Sequence, residues 1–427
     1  MTQQQLLQAL AAEIECSTGC TDPGSVCLAA AAAAHALGGR AEEIRVLVSP
    51  NVYKNGVSVG IPGTGRVGLE LAAALGVLLD RPERGLAILS EVTDEMVRRA
   101  EETVAAGRVT VCYGETPDPL YVQAVVRAGD DEARAVIMYD YSNVVEVVRN
   151  GEVLLRKAEA AGGAPACPFL GCSVEELYRL ILSMDPADFA FLLEGARRNK
   201  EAALRDLEDP ARRLGRTIRA CTAVQGCTPL AVSSAVRAYT AAAGEARMSG
   251  MNVTITAITG SGNHGITNFV GVLAAAEELG AGQDQTAVAL AISSMITIYI
   301  KAYIKRMTAF CGCGVAAATG MAAAVTYLLG GSYEQSVHAM QTVVGTIGGM
   351  FCDGAKSSCA YKLSTAASMA VQAAYLAMEG CHVPAGEGII GTRIEETFAN
   401  IGRLNDPGML ETDRVMVSII AQRRQGG

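Results

Sequence analysis

The stretch "SVEELYRLILSMDPADFAFLLEGARRNKEAALRDL", residues 173–207, is where the chain changes character. Its apolar residues recur at helical spacing, and Asp185 with Pro186 marks one stop and a new start. Upstream, "EIRVLVSPNVY" (43–53), "GRVTVCYG" (107–114), "YVQAVVRAGD" (121–130) and "ARAVIMYDYSNVVEVVRNGEVLL" (133–155) carry β-branched residues alternating between turn signals, the pattern of strands. Downstream, as far as residue 427, nearly everything reads as helix, broken by Gly-rich loops at 259–268, 309–314, 346–359 and 382–393. The expected fold class is therefore α+β. An α+β domain spans 1–157, "AEAAGGAPACPFLG" (158–171) is a linker, and a mostly helical bundle domain spans 172–427.

Within the first part, residues 3–15 predict an amphipathic helix, followed by the irregular "CSTGCTDPG" (16–24). Pro23 and Gly24 open an Ala-rich helix that closes at Gly38–Gly39, and further helices are expected near 68–80 and 92–106.

Composition narrows the function classes. A net charge of −9 without clustered Lys and Arg argues against a nucleic-acid surface. Aromatics make up only 5% and Ala and Gly dominate, which favours closely packed helices. The mean hydropathy of +0.26 raises the question of a membrane. However, "TAVALAISSMITIYI" (286–300) reaches Lys301 after fifteen residues, and "GVAAATGMAAAVTYLLGG" (314–331) is mostly Ala and Gly. A span needs ~20 strongly apolar residues, so both read as buried core helices. The N-terminus shows no basic segment followed by an apolar block, and a cytoplasmic location is expected. In that reducing setting the thirteen cysteines are thiols rather than a disulfide framework.

Four of them fall in polar glycine loops: Cys311 and Cys313 in "AFCGCG", Cys352 and Cys359 in "TIGGMFCDGAKSSC". The spacing is not that of zinc knuckles. If a bundle brings the loops together, soft thiolates without histidine suit an iron–sulfur cluster or structural zinc. The competing reading is four core cysteines and a turn. Cys20 precedes a helix N-terminus, where free amides and the dipole favour a thiolate that could serve as nucleophile or base. Ser17, Thr18 and Thr21 can cap that helix or hold a substrate carboxylate. Cys16, Cys20 and Cys27 do not match the spacing of a radical cluster.

"VSPNVYKNGVSVGIPGTG" (48–65) lacks the order of a phosphate loop and the strand-first context of a dinucleotide fingerprint, so nucleotide binding is rejected. Asn51, Lys54 and Asn55 remain candidates for a small anion, with a turn as the competing meaning. Ser261, Asn263 and His264 sit together in "TGSGNHGITN". No Ser–His–Asp order and no lysine diagnostic of pyridoxal phosphate occurs.

Taken together, "STGCTDPGSVCLAAAAA" (17–33), "SPNVYKNGVSVGIPGTG" (49–65), "GSGNHGI" (260–266), "FCGCGVAAATGMAAAVTYLLGG" (310–331) and "GGMFCDGAKSSCAYK" (348–362) resemble the L-cysteine desulfidase family, related to the α domain of iron–sulfur L-serine dehydratases. The resemblance covers essentially the whole chain, with the motifs in family order. It implies an oxygen-sensitive [4Fe–4S] enzyme that eliminates the β-substituent of an L-amino acid. Cys311, Cys352 and Cys359 match the cluster cysteines, with Cys313 the alternative to Cys311, and Cys20 matches the proposed base. Ser17, Thr18, Thr21, Asn51 and Asn263 would fix the substrate, with Lys54 or Lys356 adding charge. The resemblance favours cysteine as substrate, with L-serine the alternative; a structural metal-binding protein is the reading from another class. A homodimer is the expected assembly, with no nucleic-acid or membrane partner.

Overall fold

The computed structural model describes residues 1–39, 41–157, 167–222 and 228–425. Most of the expected linker, 158–166, lies outside them.

The chain is α+β, as its sequence predicts. It begins with α1 (Gln3–Ala12), whose Thr2 cap and Gln5 form a capping box, then β1 (Ile14–Thr18). Helix α2 (Thr21–Leu37) ends at Gly38 in the left-handed conformation. Strand β2 (Glu43–Val48) is followed by the short helix α3 (Pro50–Gly56). The expected strand over 43–53 therefore stops early, because Ser49 caps α3 and Pro50 occupies its first turn. A two-residue ribbon, β3 (Gly60–Ile61) and β4 (Arg66–Val67), leads into α4 (Leu69–Leu79) and α5 (Asp94–Ala105).

Strands β5 (Val109–Tyr113), β6 (Tyr121–Ala128), β7 (Asp131–Met138), β8 (Val144–Arg149) and β9 (Glu152–Arg156) complete a sheet of order β5-β2-β6-β7-β8-β9. The run 133–155 is thus three strands, turning at Tyr139–Asn143 and Asn150–Gly151. Only β2 and β5 pair in parallel. Alternation buries Ile44, Val46 and Val48 against α2, where Ala29, Ala30, Ala31 and Ala33 are fully buried and let the helix lie close to the sheet and α4.

The second part contains α6 (Val174–Leu182), α7 (Ala190–Glu208), α8 (Leu214–Thr222) and α9 (Pro229–Met248). Among the described residues of this part a strand, β10 (Thr254–Ile258), interrupts the helices where the sequence predicts helix. The isolated strand exists because β1 pairs antiparallel with it, Cys16 opposite Thr256. Then follow the single turn α10 (Gly262–Gly265), a π-helical segment at Ile266–Gly271, α11 (Val272–Glu278) and α12 (Gln283–Ile304). Helix α12 is long and apolar enough to cross a membrane, yet 89% of its apolar window is buried inside the fold. A second π segment, Cys313–Ala317, opens α13 (Ala318–Leu328); α14 (Tyr333–Ile347), α15 (Ser358–Met378), α16 (Ile394–Asn405) and α17 (Leu410–Gln425) complete the chain.

Two large apolar clusters form, one on the sheet and one among the helices. The chain ends cross between them: Leu6 and Leu10 of α1 belong to the helical cluster, and Ala421 of α17 to the sheet cluster.

Candidate active site

The two cysteine loops are tied by their backbones. The Cys311 N–H donates to the Met350 carbonyl and the Cys352 N–H to the Ala309 carbonyl, both at 2.7 Å, with Phe310 and Phe351 as bridge partners. Cys359 enters from the first turn of α15, its Sγ 3.6 Å from the Gly354 carbonyl. Gly354, at φ +93°, lets this loop lie on α3: a Cβ there would stand 2.1 Å from the Lys54 carbonyl oxygen.

Cys311, Cys313, Cys352 and Cys359 are free thiols close enough to perturb one another's ionisation. Cys313 donates toward Cys311, which favours the thiolate at Cys311 and pushes Cys313 up. Burial raises Cys352, and raises Cys359 to about 11. The charges of Lys54 and Lys362 work against the rise at Cys352, and Lys362 also stabilises the Cys311 thiolate. Among the described residues no three His, Cys, Asp or Glu side chains already surround a point as a single metal ion needs. A cubane spreads its cysteines over separate corners, and by donor chemistry this cation-flanked set, two thiols buried and two half-buried, fits one.

Asp353 organises the loop. Burial works against its ionisation, but Lys356 and Lys362, at 2.6 and 2.5 Å, hold its carboxyl down to about 2. Lys356 also donates to the carbonyls of Asp353 and Gly354, so its charge is engaged in bracing the turn. Lys54 is buried and paired with Asp413 of α17 at 2.6 Å.

On the other side, Gly19 (φ +74°) turns the chain from β1 into α2, placing Cys20 at the N-cap of α2 without a side-chain cap bond. A side chain at Gly19 would meet Pro62 at 2.2 Å. Cys20 packs with Val59, Met248, Ala355 and Cys359 in one small apolar cluster, which joins the N-terminal loop to the cysteine loops. The thiolate expected at this helix end is not the resting form. Burial pushes the Cys20 thiol up to about 12, outweighing the neighbouring Arg247.

Among the described residues Ser17 Oγ and Thr18 Oγ1, both buried, have no hydrogen-bond partner, an uncommon state for buried hydroxyls. Thr21 is buried beside Tyr141. Asn263 accepts from Arg247 at 2.9 Å, and Arg247 also donates to the Gly19 carbonyl at 3.1 Å. His264 bonds Thr259 at 2.9 Å, and burial lowers its pKa well below the usual value. Asn51 lies half-buried in the first turn of α3. Cys16 is exposed and Cys27 lies in the sheet cluster, both away from this cluster.

Sequence reasoning missed Asp22 and Arg247. Asp22 is buried two residues after Cys20, and burial raises its carboxyl to about 7. Its one sequence signal was an acid in the first turn of a helix, which reads equally as a capping residue. Arg247 ends a helix 228 residues from Gly19, and no local pattern links the two.

Buried and half-buried thiols on two linked loops, with Cys20 at the start of α2, frame the site, and the comparisons suggest a lyase-type enzyme. Residues 83–418 match the serine dehydratase alpha chain family, and the chain belongs to it. That span includes Cys311, Cys313, Cys352 and Cys359 and leaves the Cys20 loop outside. The chain is 47% identical over 425 residues to a UPF0597 protein of Methanocella arvoryzae, covering 99% of each. It is 36% identical to UPF0597 proteins of Bacteroides fragilis, over 98% of each chain, and of Clostridioides difficile, over 97% of this chain and 98% of that one.

Proposed function

We propose that the chain catalyses β-elimination from L-cysteine, giving pyruvate, ammonia and hydrogen sulfide, with a [4Fe–4S] cluster held by Cys311, Cys352 and Cys359, or by Cys313 in place of Cys311. The observation that carries this reading is the cluster of Cys20, Val59, Met248, Ala355 and Cys359. It sets the candidate base against a candidate ligand across an apolar, sulfur-rich wall. A thiol substituent loses little on entering such a wall, whereas a hydroxyl left without a partner there loses roughly 1–3 kcal/mol.

When bound, the cluster supplies a Lewis-acidic iron for the departing sulfur. The chain's own residues do the rest. Ser17 Oγ and Thr18 Oγ1 donate to the substrate carboxylate, with Thr21 and Asn263 beside them and Arg247 as the nearby positive charge. Cys20 as thiolate takes the Cα proton; the C–H electron pair becomes the Cα=Cβ bond as the Cβ–S bond breaks. The aminoacrylate tautomerises and is hydrolysed by water to pyruvate and ammonia. Lys54 and Lys356 contribute through the loops they brace rather than as free cations. A cytoplasmic setting and a homodimer belong to the same proposal.

L-serine is the second reading, favoured by the serine dehydratase alpha chain match. Protein purified without oxygen separates the two. The expected result is a brown protein that releases equal pyruvate and sulfide from L-cysteine, with kcat/KM at least about tenfold above that for L-serine. Pyruvate from serine alone would overturn the substrate assignment, and a colourless protein inactive on both after iron and sulfide reconstitution would overturn the enzyme itself.

A further inference from the structure

We infer that Asn55 binds the α-ammonium group of the substrate through its side-chain oxygen and so fixes which way the amino acid lies over Cys20. The inference deepens the proposed elimination and rests on it. Asn55 follows Lys54 on α3, the helix against which the Gly354 turn of the cysteine loops rests. Its amide is held by one end. Nδ2 donates to Asp22 Oδ1 at 3.4 Å and to Met307 Sδ at 3.7 Å, and the Tyr141 hydroxyl donates to the same sulfur at 3.5 Å. A carboxylate and a thioether offer lone pairs, so the amide nitrogen is the end that faces them. The oxygen, Oδ1, is thereby turned the other way. It is buried, and among the described residues it has no hydrogen-bond partner.

The donors and acceptors on the two sides of Cys20 then match an amino-acid zwitterion, whose carboxylate only accepts and whose ammonium only donates. Ser17 Oγ and Thr18 Oγ1, before the Gly19 turn, are hydroxyls that can give a hydrogen. Arg247 reaches the same turn. Its guanidinium is buried, and it donates to the Gly19 carbonyl and the Asn263 oxygen, neither of which carries a charge. Asn55 Oδ1, on the Asp22 side, is an acceptor and nothing else. An anion therefore suits the Ser17–Arg247 side and a cation suits the Asn55 side. The sequence offers Asn55 as a ligand for a small anion, but its unpartnered atom has the wrong polarity for one. Lys54, its neighbour, is paired with Asp413 at 2.6 Å, so its charge is offset there. A hydrogen bond from an ammonium to a buried acceptor is about twice as strong as one between neutral groups. The amide does not titrate, so this contact is the same at every pH at which the enzyme is folded.

The test is the binding of two truncated substrates to the cluster-loaded enzyme, measured by calorimetry without oxygen. 3-Mercaptopropionate keeps the thiol and carboxylate of cysteine and lacks the amine; cysteamine keeps the thiol and amine and lacks the carboxylate. In Asn55→Ala the Kd of cysteamine should rise about 20-fold, while that of 3-mercaptopropionate stays within about twofold of wild type. The kcat/KM for L-cysteine should fall to match cysteamine. The unmoved ligand reports that the site is intact, which a merely structural role for Asn55 would not leave so. Equal weakening of both ligands, no weakening of cysteamine, or a wild type that binds 3-mercaptopropionate alone overturns the inference. Where Asn55→Ala fails to fold, Asn55→Ser, whose oxygen falls one atom short, is read the same way. Wild-type enzyme that binds neither ligand and leaves cysteine unchanged would instead remove the proposed function.

Discussion

At the scale of single residues, the site depends on a few atoms that admit no substitute. Gly19 combines a left-handed backbone with contact on Pro62, so Gly19→Ala must both strain its backbone and push the Cys20 loop off the ribbon. A stability loss on the order of 1–2 kcal/mol and a raised KM are expected, read by urea denaturation and steady-state kinetics. Asp206 makes a second, independent case away from the site. Burial and the nearby Glu245 raise its carboxyl to about 7, and among the described residues its Oδ2 has no hydrogen-bond partner. The folded state therefore holds that proton more tightly than the unfolded one. This contribution is whole below about pH 4, the ordinary aspartate range, and is lost as pH rises through about 7. Asp206→Asn should melt several degrees above wild type at pH 8 and within a degree of it at pH 4; an equal gap at both would contradict the assignment. The four loop cysteines stood out by their polar glycine loops, but C-x-C and C-x6-C spacing reads equally as core cysteines, and it was the family resemblance that joined them into one set. Arg247 and Asp22 were not legible, since a helix-end arginine and a first-turn acid acquire their meaning only from partners that folding brings near.

At the scale of elements, the strands and long helices were legible from periodicity, and the misreadings have local causes. The strand over 43–53 ended at a Ser–Pro pair that opens a helix, and β10 was hidden because a single strand needs a partner more than 230 residues away. The C-terminal helix α17 makes the element-scale prediction. Lys54, whose side chain is 1% exposed, pairs with Asp413 of that helix. Asp413→Asn leaves a buried ammonium without its carboxylate, expected to cost on the order of 3 kcal/mol and to expose α17 to proteolysis. A Lys54→Met, Asp413→Leu double variant should recover most of the loss. Unchanged protease resistance in Asp413→Asn would show that α17 is held by its apolar contacts alone.

At the scale of the molecule, the sheet core and the helical core exchange chain ends, and the candidate site lies where they touch. The ribbon's Gly63 bonds the Gly250 carbonyl at 3.0 Å, the Gly354 loop rests on α3, and β1 lies on β10. The division into domains at 157 and 172 is thus a proposal about two cores rather than two independent folding units. A fragment of residues 172–427, which lacks α1 and β1, should show no cooperative melting transition. The same arrangement divides the chemistry: the helical part is proposed to hold the metal, and the N-terminal loop to move the proton. The most direct measurement is the anaerobic visible spectrum and turnover of Cys20→Ala beside Cys352→Ala. The expected result is a brown, inactive Cys20→Ala and a bleached, inactive Cys352→Ala. A bleached Cys20→Ala, or a Cys352→Ala with its iron and sulfide content intact, would contradict that division.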